Sequence, residues 1–413
     1  MAATRIIELA RSILENASTI DATLESQGLP TPTFEPSVSV LFPPGVTSAR
    51  DTVLDATQEL HDLLLAPMNL IQRKASASMK AISRYSIAAC LEPGETKTYK
   101  ELADTCGLAE RPLKHLLRHA MTMRIFAEPE KGKVAHTAVS ALMRDQNCAA
   151  WLQYGTEDLW PASVKLVDAL GLWPGSEEPQ HTGWNIAHGV EGPLYQRFAA
   201  DTKLASRFGA SMTSMISDNP AFDPVHLHRS HDWASLGSGL VVDVGGSHGA
   251  LAISLATAFP NLRFISQDLA SSIDGAPQVP KGVAGRVLLM PHDFFTPQPV
   301  QADAYIFRWI FHNWSDKYAA MILKALVPSL KAGARILVQD GCLPDPGVLP
   351  SWRETDLRDM DLLMGTYFNA WERDADEWRE LFMKADSRFE FIGITRPLGS
   401  ALALVEARWG GEG

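Results

Sequence analysis

Leu240-Val241-Val242-Asp243-Val244-Gly245-Gly246-Ser247-His248-Gly249 is the stretch on which the reading of this chain turns. A short apolar run carrying one acid ends in a glycine turn. Ala250-Leu251-Ala252-Ile253-Ser254-Leu255-Ala256 follows and reads as a helix. The three pieces are a buried strand, a tight turn and a helix N-terminus. Glycines let backbone approach a ligand closely, and the helix end offers N–H groups without partners. Many α/β proteins carry such a turn, so its meaning depends on its surroundings.

Downstream, apolar runs and helical periods alternate. Strands are predicted over 240–244, 262–267, 286–290, 303–307, 334–339, 388–394 and 401–407. Helices are predicted over 248–258, 316–330, 353–366 and 374–384. Alternation down to about residue 340 argues for a parallel, doubly wound sheet. Pro397-Leu398-Gly399-Ser400, between the last two runs, is too short for a crossover helix, so these strands pair as an antiparallel hairpin.

Upstream, residues 3–27 have helical spacing, with Ile6, Ile7, Leu9, Ala10, Ile13 and Leu14 apolar. The Pro-rich run from Pro30 to Pro44 reads as an extended connector. Residues 48–73 are again helical and leucine-rich, which calls for a partner surface. Residues 78–143 read as a helix-turn-helix followed by a wing. Its helices lie at Thr98–Ala103 and Glu110–Thr122, its strands at 124–128 and 133–137. That topology serves DNA binding in some proteins and a helical interaction module in others, and the acidic charge of this chain favours the module. Residues 150–230 mix helices and loops rich in tryptophan and methionine, most of them core and some suited to a flat apolar ligand. The expected domains are 1–145, 146–235 and 236–413.

A chain of 413 residues supports more than one core. Its net charge of −11 makes it a poor partner for nucleic acid or anionic membrane. The four cysteines form no C-x-x-C pair, so no zinc site or disulfide framework is expected. There is no leader pattern, and no apolar run approaches the roughly 18–20 residues of a membrane span. A cytoplasmic protein without a metal is expected.

Ligands of such sheets sit at the carboxyl ends of the strands. The second strand ends at Asp268, about 20 residues beyond the glycines, placed to hold a ribose diol. After the third come His292-Asp293-Phe294-Phe295, an acid for an exocyclic amine and a ring to cover a purine. The fourth runs into Arg308-Trp309-Ile310-Phe311-His312-Asn313-Trp314-Ser315-Asp316, and the fifth ends at Asp340. The turn lacks G-x-G-x-x-G spacing, and Asp243 before it would repel a pyrophosphate while attracting an ammonium. A nucleoside joined to a cationic amino acid is S-adenosylmethionine.

Val241 to Gly249, Gln267-Asp268-Leu269, His292 to Phe295 and Arg308 to Asp316 together resemble the plant and fungal small-molecule O-methyltransferases of the caffeic-acid type. The resemblance covers nearly the whole chain and is most specific around His312. It implies an α/β class I methyltransferase fold: a Rossmann-like doubly wound sheet with a C-terminal antiparallel hairpin. A helical winged-helix dimerisation domain would precede it, giving a homodimer, and a helical connector would contribute to the substrate pocket. It further implies that Gly245 and Gly246 pass close to S-adenosylmethionine. Asp268, with Leu269 beside it, would hold the ribose, Asp293 and Phe294 the adenine, and Arg308 the carboxylate region. His312 matches the general base. Asp340 stands where the family usually has a glutamate that positions the histidine, and Glu372 matches a second acid. His292 reads as structural, and His248 has no assigned task.

A phenol near pKa 10 is a weak nucleophile at neutral pH, and a histidine within reach can take its proton. Asp340, one methylene shorter than glutamate, either holds His312 less directly or leaves more of that work to Glu372. The expected reaction is methylation of a small aromatic or polyketide-like hydroxyl. Trp160, Met212, Met215, Phe222, Trp309, Met364 and Phe368 are the expected pocket walls. The fungal secondary-metabolite branch of the family also has relatives that run dehydrations or pericyclic reactions with the cofactor retained, which is the alternative. A DNA-binding regulator built on the wing is a third reading, and the acidic charge speaks against it.

Overall fold

Helix Arg5–Ser26 lies against helix Thr47–Leu64, with Arg5 paired to Glu59 at 2.7 Å. The structure is a computed structural model, and it describes residues 4–32, 42–65, 70–71, 76–217 and 220–411. Most of the expected connector (33–41) and parts of the expected 48–73 helix (66–69 and 72–73) lie outside the described residues. Leu14, Leu54, Leu63 and Leu64 on these two helices are exposed within the chain.

Three antiparallel strands follow: β1 (Thr96–Thr98), β2 (Ala127–Glu130) and β3 (Lys133–Ala135), in the order β1-β3-β2. Helix Tyr99–Cys106 opens on a capping box in which Thr98 and Glu101 satisfy each other's backbone N–H groups, and it stops at Gly107, where φ is +78°. Helix Glu110–Met121 comes next. The short β1, not anticipated from sequence, completes the hairpin as a small sheet. Arg118 of the second helix binds Glu128 bidentately, at 2.8 and 2.7 Å, and Tyr99 donates to the same carboxylate at 2.7 Å. That cation is engaged within the fold.

The chain forms two compact units, Met1–Asp145 and Gln146–Gly413. The second holds a seven-stranded sheet: β4 (Leu240–Val244), β5 (Arg263–Asp268), β6 (Val287–Pro291), β7 (Ala304–Arg308), β8 (Arg335–Asp340), β9 (Phe389–Thr395) and β10 (Ala403–Trp409). Their order is β6-β5-β4-β7-β8-β10-β9. β4 to β8 are parallel, and β10 runs antiparallel between β8 and β9. The order reverses at β4, so the crevice at its carboxyl end is the switch point where such sheets bind ligands.

Two sequence expectations change. Strand–helix alternation breaks between β5 and β6, where a single turn (Ala270–Ile273) intervenes, and between β6 and β7, where no helix is formed. β6 is an edge strand with mixed burial, so it needs less cover than a central one. Several strands also end one residue later than expected. Asp268 pairs with Pro291, Arg308 with Gln339, and Asp340 with Ala403, so these site residues are the last rungs of the ladder.

Side chains alternate across the sheet. Val242 and Val244 pack with Phe307, Phe311, Val338 and Phe382 on one face. Val241 packs with Leu255, Phe264, Ile306 and Leu337 on the other. A separate cluster joins residues of 146–217 to helix Ser351–Phe368 through Tyr154, Trp184, Leu204, Met364 and Tyr367. No described helix is long and apolar enough to cross a membrane.

Candidate active site

Gly245 adopts φ +75°, and its N–H and that of Gly246 both donate to the Gln267 carbonyl, at 2.8 and 3.0 Å. A Cβ on Gly245 would overlap Ile310, and one on Gly246 would overlap Asp243 and Ser266. The turn therefore needs glycine at both positions. Asp243 is only 1% exposed, under Gly246, with Ser266 donating to it at 3.2 Å. Burial pushes its carboxyl up to about 6. The structure places Asp243 beneath the turn rather than open to the crevice.

Asp268, at the end of β5, accepts from the Ser247 N–H and from its neighbour Leu269 N–H, both at 2.8 Å. Its carboxylate is thereby fixed against the turn with lone pairs left over. The Leu269 side chain is exposed beside it. Asp293 is also exposed and accepts from the Phe295 N–H at 3.0 Å, which shapes the loop after β6. Phe294, Phe295 and Trp314 pack edge to face, and Trp314 stacks on Tyr195 at 6.0 Å. Two acids and a group of aromatic rings thus stand at neighbouring strand ends, a set of donors and faces that fits a nucleoside. Arg308 is half-buried, donates to Gln339 at 2.8 Å and to the Phe222 carbonyl, and so ties the end of β7 to the loop at Pro220–Phe222.

Trp309 has φ +59°, a strained conformation for a bulky residue. Gln339 accepts its N–H at 3.2 Å, and the Asn313 amide donates to its carbonyl at 3.1 Å. The indole is thereby held edge-on to His312 and Phe222, with centroids 5.2 and 5.1 Å away. His312 is 5% exposed in the one-turn helix Phe311–Asn313. Its Nδ1 lies 3.0 Å from Glu372 Oε1 and 3.8 Å from Asp340 Oδ1. Asp340 also accepts the His312 backbone N–H at 3.2 Å. Burial alone would push the imidazole pKa down. The Asp340 charge and then Glu372 outweigh it, and the net shift is upward. Burial raises the Asp340 carboxyl to about 6. Gly341 is needed here too, because a Cβ would occupy the place of the Glu372 carboxylate. The His312, Asp340 and Glu372 ligand atoms lie within 4.8 Å of one another.

His312 opens on a cavity of about 190 Å³. Trp309 and Asn313 flank it there. Helix Thr202–Ser217 contributes Phe208 and Met212, and helix Ser351–Phe368 contributes Met360, Leu363, Met364, Tyr367 and Phe368. Trp151, Tyr154 and Tyr195 close it. Of the expected wall residues, Met212, Trp309, Met364 and Phe368 line this space. Phe222 stands behind Trp309, Trp160 does not reach the lining, and the Met215 side chain lies outside the described residues. Met360, Met364 and Phe368 recur every four residues, a helical signal that would have extended the list. Tyr154 carried no such signal, because it opens a π-helical turn (Tyr154–Leu159).

The O-methyltransferase domain family matches residues 172–388. The O-methyltransferase PaMT of Phomopsis amygdali is 40% identical over 412 residues, covering 98% of this chain and 96% of its own. In fold, the chain is similar to OxaC, solved in complex with SAH and oxaline, with a TM-score of 0.69 at 18% identity over 97% of this chain and 100% of that one. It is also similar to a pericyclic reaction enzyme, with a TM-score of 0.66 at 22% identity over 96% and 100%. Identity of that extent with PaMT, and a domain match over more than half the chain, agree with a histidine held by acids beside a nucleoside crevice: the chain belongs to the S-adenosylmethionine-dependent O-methyltransferases.

Proposed function

We propose that this enzyme methylates a hydroxyl of a small aromatic or polyketide-like acceptor, with His312 as general base. The observation that carries the reading is the imidazole whose Nδ1 is engaged by Glu372 while the ring lines an apolar, aromatic-walled cavity. When bound, S-adenosylmethionine supplies an electrophilic methyl group on a sulfonium sulfur. Asp268 is the ribose-holding residue in this reading, Asp293 and Phe294 flank the base, and Gly245 and Gly246 give the backbone its close approach. Arg308 secures the wall of the site. The acceptor hydroxyl gives its proton to His312 Nε2 as its oxygen becomes the nucleophile. Glu372 fixes the tautomer and stabilises the imidazolium. Asp340 adds a second negative charge and anchors the backbone of the same residue. The indole of Trp309 and the methionines exclude water and orient a flat ring.

The exposed leucines of the two N-terminal helices support a homodimer, which light scattering in solution would test.

The test of the main reading is transfer of labelled methyl to a panel of phenols, comparing the native enzyme with His312→Ala. Methylated product from the native enzyme and a large loss in the variant are expected. Equal rates remove His312 as base. An isomer of unchanged mass, with no S-adenosylhomocysteine formed, removes methyl transfer in favour of a rearrangement on the same scaffold.

A further inference from the structure

The acceptor cavity is apolar except at a few points, and two of these are phenols with no assigned task. Tyr367 is 1% exposed; its buried hydroxyl makes no well-formed hydrogen bond among the described residues, although the Tyr154 phenol beside it is close enough to interact with it. Tyr154 is 5% exposed, and its ring centroid lies 5.4 Å from that of Tyr367, tilted by 39°. Both line the cavity that His312 lines. Burial pushes both phenols well above their usual value, so they are neutral donors. A buried hydroxyl without a partner is rare, because its lost hydration goes uncompensated.

The surroundings hold these rings in place. Tyr154 opens the π-helical turn that ends at Leu159, a feature found often at functional sites. From the same turn, Asp158 binds Arg207 bidentately, at 2.8 and 2.9 Å, and both partners are largely buried. Arg207 precedes Phe208, which meets Tyr154 edge to face at 5.5 Å. The ion pair therefore clamps the turn to the helix that supplies Phe208 and Met212. Tyr367 sits one residue before Phe368 at the end of the facing helix.

We infer that Tyr154 and Tyr367 are specificity-determining residues that donate hydrogen bonds to a second oxygen of the acceptor, distinct from the hydroxyl placed at His312. The substrate class narrows to aromatic acceptors that carry two oxygens, one methylated and one held. A site built to hydrogen-bond a substrate oxygen rejects the analogue without it, because the protein donors are then left unpaired. This inference rests on the acceptor reading of the cavity given above.

The test uses 2-naphthol and its two-oxygen analogues 2,7-dihydroxynaphthalene and 6-hydroxy-2-tetralone. Binding is read from quenching of intrinsic fluorescence, since Trp151 and Trp309 line the cavity. The native enzyme, saturated with S-adenosylhomocysteine, is expected to bind at least one two-oxygen probe about tenfold or more tighter than 2-naphthol. Tyr367→Phe and Tyr154→Phe, which remove only the oxygens, are expected to erase that preference, affinity for the two-oxygen probes falling about tenfold or more toward that for 2-naphthol. Melting curves and S-adenosylhomocysteine affinity check that each variant is folded. An unchanged preference in both folded variants, equal loss for all three probes, or no preference in the native enzyme overturns the inference. Preference lost as expected, but with no methylated product from any probe, sinks the phenol-methylation reading and leaves the two phenols as the selecting pair.

Discussion

Glu372 Oε1 lies 3.0 Å from His312 Nδ1, although 60 positions separate the two residues. Asp340, at the strand end where the family resemblance puts a glutamate, reaches the same ring only at 3.8 Å and binds the His312 backbone N–H instead. In the proposed mechanism the shorter acid sets the position of the histidine, and the distant acid sets its tautomer. This division of labour yields the first prediction. Glu372→Gln lowers kcat by about 10–100-fold, from the roughly 1.5–3 kcal/mol of a hydrogen bond to a charged group. Asp340→Asn lowers it less. Steady-state rates with one phenolic acceptor decide the order.

The pH profile gives the second. The imidazole pKa is raised above 6.5 by its acids, and only the neutral ring accepts a proton. kcat/KM therefore falls as pH falls through a value above 6.5. Asp340→Asn removes one of the charges that raise it, so the acid limb moves to lower pH. A limb that stays in place would remove Asp340 from the electrostatics of the base.

His312→Ala lowers methyl transfer by about 10²–10⁴-fold, the usual contribution of a positioned base. Affinity for S-adenosylhomocysteine, measured by calorimetry, stays unchanged, because His312 lines the cavity walled by Trp309, Met364 and Phe368 and takes no part in the glycine turn's hydrogen bonds.

Gly246→Ala forces a methyl against the Asp243 carboxylate and the Ser266 hydroxyl. Overpacking of this kind costs about 1–3 kcal/mol. A lowered Tm and weakened S-adenosylhomocysteine binding are both expected. Asp268→Asn weakens the same binding for another reason. Its NH2 group would face the Ser247 or Leu269 N–H, donor against donor.

Arg207→Ala leaves Asp158 largely buried without its cation. The expected loss is about 3 kcal/mol, read from denaturant unfolding. Asp158→Asn in the same background restores part of it, because the uncompensated charge is gone.

How much of this was legible in the residues follows from the range of the forces involved. The strand, the glycine turn and the helix at Leu240–Ala258 are local, set by side-chain period and by turn chemistry within a few residues. The four-residue link at Pro397–Ser400 admits a hairpin and no crossover. Parallel strands bring their carboxyl ends to one edge, so the sequence alone gathers Asp268, Asp293, Arg308 and Asp340 there. Packing decided the rest. Asp243 went under the turn rather than into the crevice, because Gly246 leaves room there for its carboxylate. Glu372 reached His312, and Tyr154 met Tyr367, only through the docking of elements far apart in the chain. Direction and distance between such side chains depend on how whole helices seat on one another. The chain by itself therefore determined the scaffold and the edge where a cofactor is held. The tertiary structure alone decided which acid lies against the histidine and which phenols line the cavity beside it.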